Sequence, residues 1–445
     1  MRWNRTKERS NLQVPGGGAK GPVLLACRQR PELLSGTAAV ALGEPVRLEL
    51  AAETEIGCVI LRECGSHCTS FTLCAENAAG ERVVLYENDV IDRYLYCAFE
   101  PVKVRALILT VHASDNGKPV RLCGIEAWRA GVTPPDFRVT VYYPLESGSR
   151  YFSERETDPD FQRDLDLLTD VILIGDVRFT REGALSYDAQ TLRRELGALR
   201  RAIGARPVRV WCCILNPQRN QKLSNRDSAH AIHRHLDRMI ENILQFCAEY
   251  QLDGIDFDWE FPLFLHYWHA HGELLIRLGE SLHRQGLLLS AAFGPWGIQL
   301  NARARQSLDF VNVMAYDWPK NRRKDHAEFY TCHYVSARYF LKKGFQKRQL
   351  VLGVPFYGNT CGRGKLIQKD YSSFEIQSAG QNAGRLDGRD YYFNGYHMIF
   401  SKSAYTRDMG FPGVMVWCGK GDRKRARGYS LFDAMARALN PGRDE

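Results

Sequence analysis

The chain contains no apolar run long enough to span a bilayer, which takes roughly 20 residues as a helix, so no membrane partner is expected. Its opening, MRWNRTKERSNLQVPGGGAKG, is basic and lacks the apolar centre of a secretory signal. The stretch Val23–Ala26 before Cys27 is far too short to serve as a lipoprotein leader. As given, the chain reads as cytoplasmic, with secretion or surface action open if a leader has been lost. Disulfide regularity is also missing. The thirteen cysteines are odd in number and irregular in spacing, and several sit in apolar runs such as RLCGIEAW (Cys123) and VWCCIL (Cys212, Cys213). That fits small buried thiols in a reducing compartment. Cys64 and Cys68 flank His67, but no second pair follows at zinc-finger spacing. His230 and His233, and the group His266, His269 and His271, have no matching carboxylate cluster and read as surface or loop-packing histidines. No metal and no cofactor are expected. The net charge of +9 is spread along the chain, and its small clusters (Arg322-Arg323-Lys324 and Arg423-Lys424-Arg425) lie in no nucleic-acid-binding module. No nucleic acid partner is expected, and the chain reads as a monomer.

What is present falls into two textures. Residues 1–20 read as a flexible segment. Residues 21–131 hold short apolar and alternating runs (PVRLEL, GCVILREC, SFTLCAEN, ERVVLYEN, VRALILTVHA, RLCGIEAW) separated by turn clusters at Asn77–Gly80 and Asp115–Gly117. This spacing predicts an all-β sandwich, of jelly-roll type. Residues 132–136 form a linker around Pro134-Pro135, which favour extended chain. From 137 to 445, strand-like and helix-like segments alternate. The strand candidates are FRVTVYY, DVILIG, VRVWCCIL, DGIDFDW, LLLSAAFG, DFVNVMAY, LVLGVPFYG and GVMVW. Eight strands with intervening amphipathic stretches predict an α/β fold, a (β/α)8 TIM barrel. A doubly wound sheet fits less well, because no Gly-rich phosphate loop follows the first strand.

The segment LDGIDFDWEF carries the chemistry. Residues two apart on a strand share a face, so Asp256, Asp258 and Glu260 line one side at steps of roughly 6.6 Å. Ile255, Phe257 and Trp259 point the other way, onto helices. Three carboxyls stacked inside a barrel repel each other and lose hydration, so at least one should keep its proton near neutral pH. Such an arrangement is a poor structural device and a good acid catalyst.

The D-G-x-D-x-D-W-E pattern, met by Asp253, Gly254, Asp256, Asp258, Trp259 and Glu260, resembles the signature of glycoside hydrolase family 18, the chitinase-like family. Further likenesses are VTVYYP at the first strand, LDFVNVMAYDW with Met314, Tyr316 and Asp317, GVPFYG at the seventh strand and GFPGVMVW at the eighth. The resemblance implies a retaining, substrate-assisted glycosidase acting on β-linked N-acetylglucosamine-containing glycans of the chitin type. It implies Glu260 as proton donor, with Asp258 orienting the substrate's acetamido group and Asp256 one step deeper, sharing a proton with Asp258. Tyr316 would bond the acetamido carbonyl, and Asp317 and Met314 would help hold the sugar. Trp417 would form the floor, while Tyr142 and Tyr357 line the pocket. Trp318 and Trp296, just past strand ends, extend the pocket or pack. Asp253 reads as structural. The runner-up substrates are peptidoglycan or spore-cortex glycan and the N-glycan core, and the reading of another class is a non-catalytic carbohydrate-binding barrel.

Two features depart from the family's pattern. The third strand ends Cys213-Ile214-Leu215-Asn216 where S-x-G-G is usual. The region from about 359 to 411 is short, which predicts an open, shallow cleft. Residues 21–131 also resemble discoidin-like, galactose-binding-like domains, FEPVKVR being the best matching piece. Sugar binding and structural support weigh equally for that part.

Overall fold

The structure, a computed structural model, describes residues 22–23, 25–26, 37–88, 90–175, 177–216, 224–317, 326–360 and 366–440. The N-terminal segment 1–20 and Trp318 lie outside the described residues. Two compact units are present. One comprises residues 1–135 with 403–411 and 437–445, the other residues 136–402 with 412–436.

In the second unit, eight strands run parallel: β1 (Arg138–Leu145), β2 (Asp170–Gly175), β3 (Arg209–Asn216), β4 (Gly254–Trp259), β5 (Leu288–Phe293), β6 (Phe310–Val313), β7 (Leu350–Pro355) and β8 (Gly413–Trp417). Each pairs with the next, and β8 pairs back onto β1, closing the barrel. All eight are the strands expected from sequence. They read as near-continuous apolar runs because a parallel barrel strand is covered on both faces, by the interior and by helices. Helices follow the strands, for example Ala189–Ile203, Asn225–Tyr250 and Leu265–His283. Their starts are written locally. Asp188 accepts from the N–H groups of Gln190 and Thr191, and Ser224 with Asp227 forms a reciprocal capping box.

Parallel strands put every C-terminal end on one face, and the opposite end is a stability site. There Asp170 is fully buried and accepts from Arg138, from Arg209 (Nε, 2.7 Å), from Trp211 Nε1 (3.0 Å) and from Thr169 Oγ1 (2.6 Å). Removing this acceptor strands two guanidinium groups. Asp170→Ala is expected to cost about 3–5 kcal/mol, read as a lower urea midpoint for the barrel, with Asp170→Asn in between.

Between β7 and the helix Tyr396–Asp408, residues 357–360, 368–370, 383–386 and 389–392 form a four-stranded antiparallel sheet. Tyr371, Phe374 and Phe393 pack together beneath it, with Phe374 and Phe393 stacked at 4.8 Å.

In the first unit, the described strands between Pro22 and Trp128 pair antiparallel in one eight-stranded sheet. Its two longest strands, Pro45–Glu63 and Leu95–Ser114, shift register at Glu49/Thr54 and Ile56/Cys58, irregularities of the kind that bend a sheet. The segment 403–411 groups with this unit, although the sequence order placed it with the barrel. The physical reason is a buried cluster in which Tyr96 donates to Asp408 (2.5 Å), Arg407 Nε bonds Asp408 (2.6 Å) and Tyr405 packs edge-on against Tyr96.

Among the described residues, no helix is long and apolar enough to cross a membrane, and no group of His, Cys, Asp or Glu is arranged to hold a metal ion. His230, His233, His266 and His269 are exposed. His271 is the correction. It is fully buried in the helix behind β4, 5.1 Å from the Trp259 ring, with neither ring nitrogen hydrogen-bonded among the described residues, and burial lowers its pKa to about 3. Its i, i+3 spacing from Trp268 and Leu274 places it on the helix's inner stripe.

Candidate active site

The site is built on β4. The strand begins at Gly254, where a Cβ would come within 2.3 Å of the Trp211 ring and 2.6 Å of the Leu288 carbonyl, so only glycine lets the three strands close here. Just before it, Asp253 accepts from the Val210 N–H (2.7 Å), a bond that ties β4 to β3. Phe257 and Trp259 face outward onto rings of neighbouring elements, Phe257 stacking on Phe179 at 6.4 Å. The alternation therefore sends Asp256 and Asp258 into the barrel, 0% and 5% exposed, and leaves Glu260 just past the strand end, half-buried.

The three carboxyls live in different surroundings. Asp256 is the deepest. Tyr142 donates to its Oδ2 (2.7 Å), Ser290 to its Oδ1 (2.6 Å), and Asn312 to its Oδ1 (3.3 Å) as well as to Tyr142 (2.8 Å). Burial raises its pKa, and these donors with the Cys213 thiol pull it back toward the ionised form. Asp258 has no such support. Its Oδ1 is buried without a hydrogen-bond partner among the described residues. Burial, then the charges of Glu260 and Asp256, push its pKa well above the usual carboxylate range. No hydrogen bond joins it to Asp256 among the described residues, so the two communicate by charge. For Glu260, burial first and the Asp317 charge second raise the pKa from 4.5 to about 7.

The remaining residues singled out from sequence converge on this place. Tyr142, Met314, Tyr316 and Tyr357 belong to one buried cluster in the barrel, with Trp417 and Phe261 packed against it. Trp417 meets Tyr142 edge-on at 5.7 Å, and Tyr316 meets Tyr357 edge-on at 6.1 Å. The Tyr316 hydroxyl faces the Met415 sulfur at 4.0 Å. Asp317 accepts from Tyr357 (2.6 Å), Asn359 (3.1 Å) and His326 (2.8 Å). Trp296 packs on Phe261 at 5.5 Å, at the rim beside Glu260. The peptide bonds Glu260–Phe261 and Trp417–Cys418 are both cis.

A sequence pattern for glycosyl hydrolases, family 18, matches residues 151–422 of the chain, more than half its length. The chain belongs to that family. Relatives in Drosophila melanogaster, the probable chitinases 10 and 2, are 25% identical over 272 residues and 29% over 199 residues. These matches cover 45% and 41% of this chain but only 12% and 36% of those proteins. Among solved structures, a chitinase from Bacteroides thetaiotaomicron is 20% identical with a TM-score of 0.56, covering 69% of this chain and 97% of that one. A class V chitinase from tobacco, solved as a mutant with NAG4, gives 0.55 at 16% identity, over 68% of this chain and 99% of that one. These likenesses show the same barrel fold.

Within this family member, four residues around the site were not singled out from sequence: Ser290, Asn312, His326 and Asn359. Ser290 and Asn312 had a visible signal. Each is a polar residue in an otherwise apolar strand run, LLLSAAF and FVNV; Ser290 pairs directly with Asp256, and Asn312 pairs with Ala292, itself the partner of Asp258. His326 and Asn359 had none, because they come from segments whose approach to Asp317 depends on tertiary structure.

Proposed function

We propose that the chain is a retaining glycosidase cleaving β-linked N-acetylglucosamine-containing glycans, with chitin oligosaccharides as substrate. The observation that carries this is the pairing of Asp258, whose buried Oδ1 has no hydrogen-bond partner among the described residues, with Glu260, whose pKa burial and the Asp317 charge raise to about 7. A carboxyl that is still protonated at neutral pH can donate to a glycosidic oxygen. A buried carboxyl oxygen with no partner is an acceptor waiting for a donor from elsewhere, and a substrate acetamido N–H supplies one.

The steps follow family 18 chemistry, where the substrate provides its own nucleophile. Glu260 gives its proton to the leaving oxygen as the acetamido carbonyl oxygen attacks C1, forming an oxazolinium ion. In the reactive form the proton is on Glu260, which removes the Glu260 charge from Asp258; as a carboxylate Asp258 accepts the acetamido N–H and balances the positive charge. Glu260, now a carboxylate, takes a proton from water as that water opens the ring with net retention. Tyr316 bonds the acetamido oxygen, Trp417 and Tyr142 form the apolar floor, and Asp317 holds the sugar through its remaining lone pair. No metal or cofactor enters this sequence. For the all-β unit we propose a discoidin-like, galactose-binding-like domain, a reading supported by its antiparallel strands and the FEPVKVR segment, with sugar binding and structural support weighing equally as its role.

Two results test the reading. The acid must be protonated to act, so kcat/KM should fall as pH rises through about 7, the value to which Glu260 is raised. Fully N-acetylated chitopentaose should be cleaved while its de-N-acetylated counterpart is not, because only the former carries the nucleophile. Equal cleavage of both would defeat the substrate-assisted mechanism, and tight binding without cleavage would indicate a carbohydrate-binding barrel.

A further inference from the structure

Asp317, four residues past the end of β6, has a left-handed backbone, φ +55°. Three donors meet that carboxyl, two of them from the strand after β7. The third is Nδ1 of His326, at 2.8 Å. An ionised carboxylate only accepts, so the imidazole must carry a proton on Nδ1. The other nitrogen, Nε2, is buried and has no hydrogen-bond partner among the described residues. His326 is 5% exposed, and its ring lies 5.0 Å from that of Tyr357, itself a donor to the same carboxylate. Among the described residues, this imidazole therefore makes its one side-chain hydrogen bond to Asp317.

The Asp317 charge in turn adds to burial in raising the Glu260 pKa. Burial alone would push Asp317 up. His326 first, then Tyr357 and Asn359, outweigh it and hold Asp317 below the usual carboxylate range. Among the described residues, Tyr316, Tyr357 and Glu260 feel the Asp317 charge, the Cys332 thiol bonds the His326 carbonyl, Lys402 bonds the neighbouring Ala327 carbonyl, and Glu328 is buried two residues along.

We propose that His326 is a positioning residue for the glycosidase reaction: it keeps Asp317 ionised and aimed, and so fixes the negative charge that Glu260 faces. This rests on the reading of Glu260 as the acid. The likeness of sequence around Met314, Tyr316 and Asp317 does not contain it, because His326 lies nine residues beyond Asp317.

The test uses the full chain with 13C at the aspartate carboxyl carbons, and the Asp317 signal is assigned by its loss in Asp317→Asn. In His326→Leu the Asp317 titration midpoint should rise by about one pH unit, because a buried carboxylate has lost a donor. His326→Asn places an amide N–H where Nδ1 stands, and should keep the wild-type midpoint. His326→Gln places its amide where Nε2 stands, and should shift like the Leu variant; it serves if the Leu variant does not fold. The acid limb of kcat/KM on chitopentaose should move up in the same variants and stay in place in His326→Asn. An unchanged Asp317 midpoint in both the Leu and Gln variants overturns the proposal, as does an equal shift in His326→Asn. If the wild type cleaves no N-acetylated glycan, the reading of the site fails separately, and the carboxyl titration still decides the link between His326 and Asp317.

Discussion

Replacing Glu260 by Gln is expected to lower kcat on chitin oligosaccharides by about 10³–10⁴-fold, the upper part of the range for a positioned general acid. Oligosaccharide affinity should change little, since the amide fills the same space. The same variant should be more stable than the wild type at alkaline pH. Folding raises the Glu260 pKa from 4.5 to about 7, so between those values the folded protein holds a proton that the unfolded chain has released. Wild-type stability therefore falls as pH rises from about 4.5 to about 7, and the deficit persists above that. Gln has no proton to lose. Thermal midpoints of the two proteins should coincide at pH 4 and separate at pH 8, with Glu260→Gln the higher. A lower midpoint at pH 8 would mean that Glu260 is a stabilising residue, not a strained catalytic one.

Asp258→Asn is expected to lower kcat by about 10²–10³-fold, the scale for removing one pre-placed transition-state contact. The reason is geometric. Asp258 sits between Glu260 and Asp256, its Oδ1 has no partner among the described residues, and its charge is the one best placed to face a positive intermediate. An amide at this position presents an N–H to the acetamido N–H in one orientation and offers no negative charge in either. The loss should fall in kcat with KM little altered, because the contact strengthens as the intermediate forms. A variant with unchanged kcat and raised KM would assign Asp258 to substrate binding alone.

The barrel was legible because its eight strands are short apolar runs bounded by turns, and parallel strands leave little else to read. The acids were legible for a narrower reason. Charge at every second position of an apolar strand has no structural use, so Asp256, Asp258 and Glu260 declare themselves. What escaped depends on three-dimensional approach. Asp256 is held by Tyr142, Ser290 and Asn312 from β1, β5 and β6, three strands whose register no local pattern encodes. His326 reaches Asp317 across an intervening segment. His271 carries a polar label but behaves as an aromatic core residue, walled in by Trp259, Phe257 and Phe293. The short region after β7, read from its length as leaving an open cleft, forms a small sheet whose first strand delivers Tyr357 and Asn359 to the site. Length alone could not show that. Nor could sequence order show that residues 403–411 belong with the all-β unit, where Asp408 and Arg407 are buried with Tyr96.

The central claim is that Glu260 acts as the acid while the substrate's own acetamido group is the nucleophile. Its most direct measurement is the anomeric form of the first products, followed by proton NMR from the moment wild-type enzyme meets chitopentaose. The account predicts that the new reducing ends appear as the β-anomer and reach the equilibrium mixture only later. Products that appear first as the α-anomer would mean direct attack by water on C1, and would contradict it.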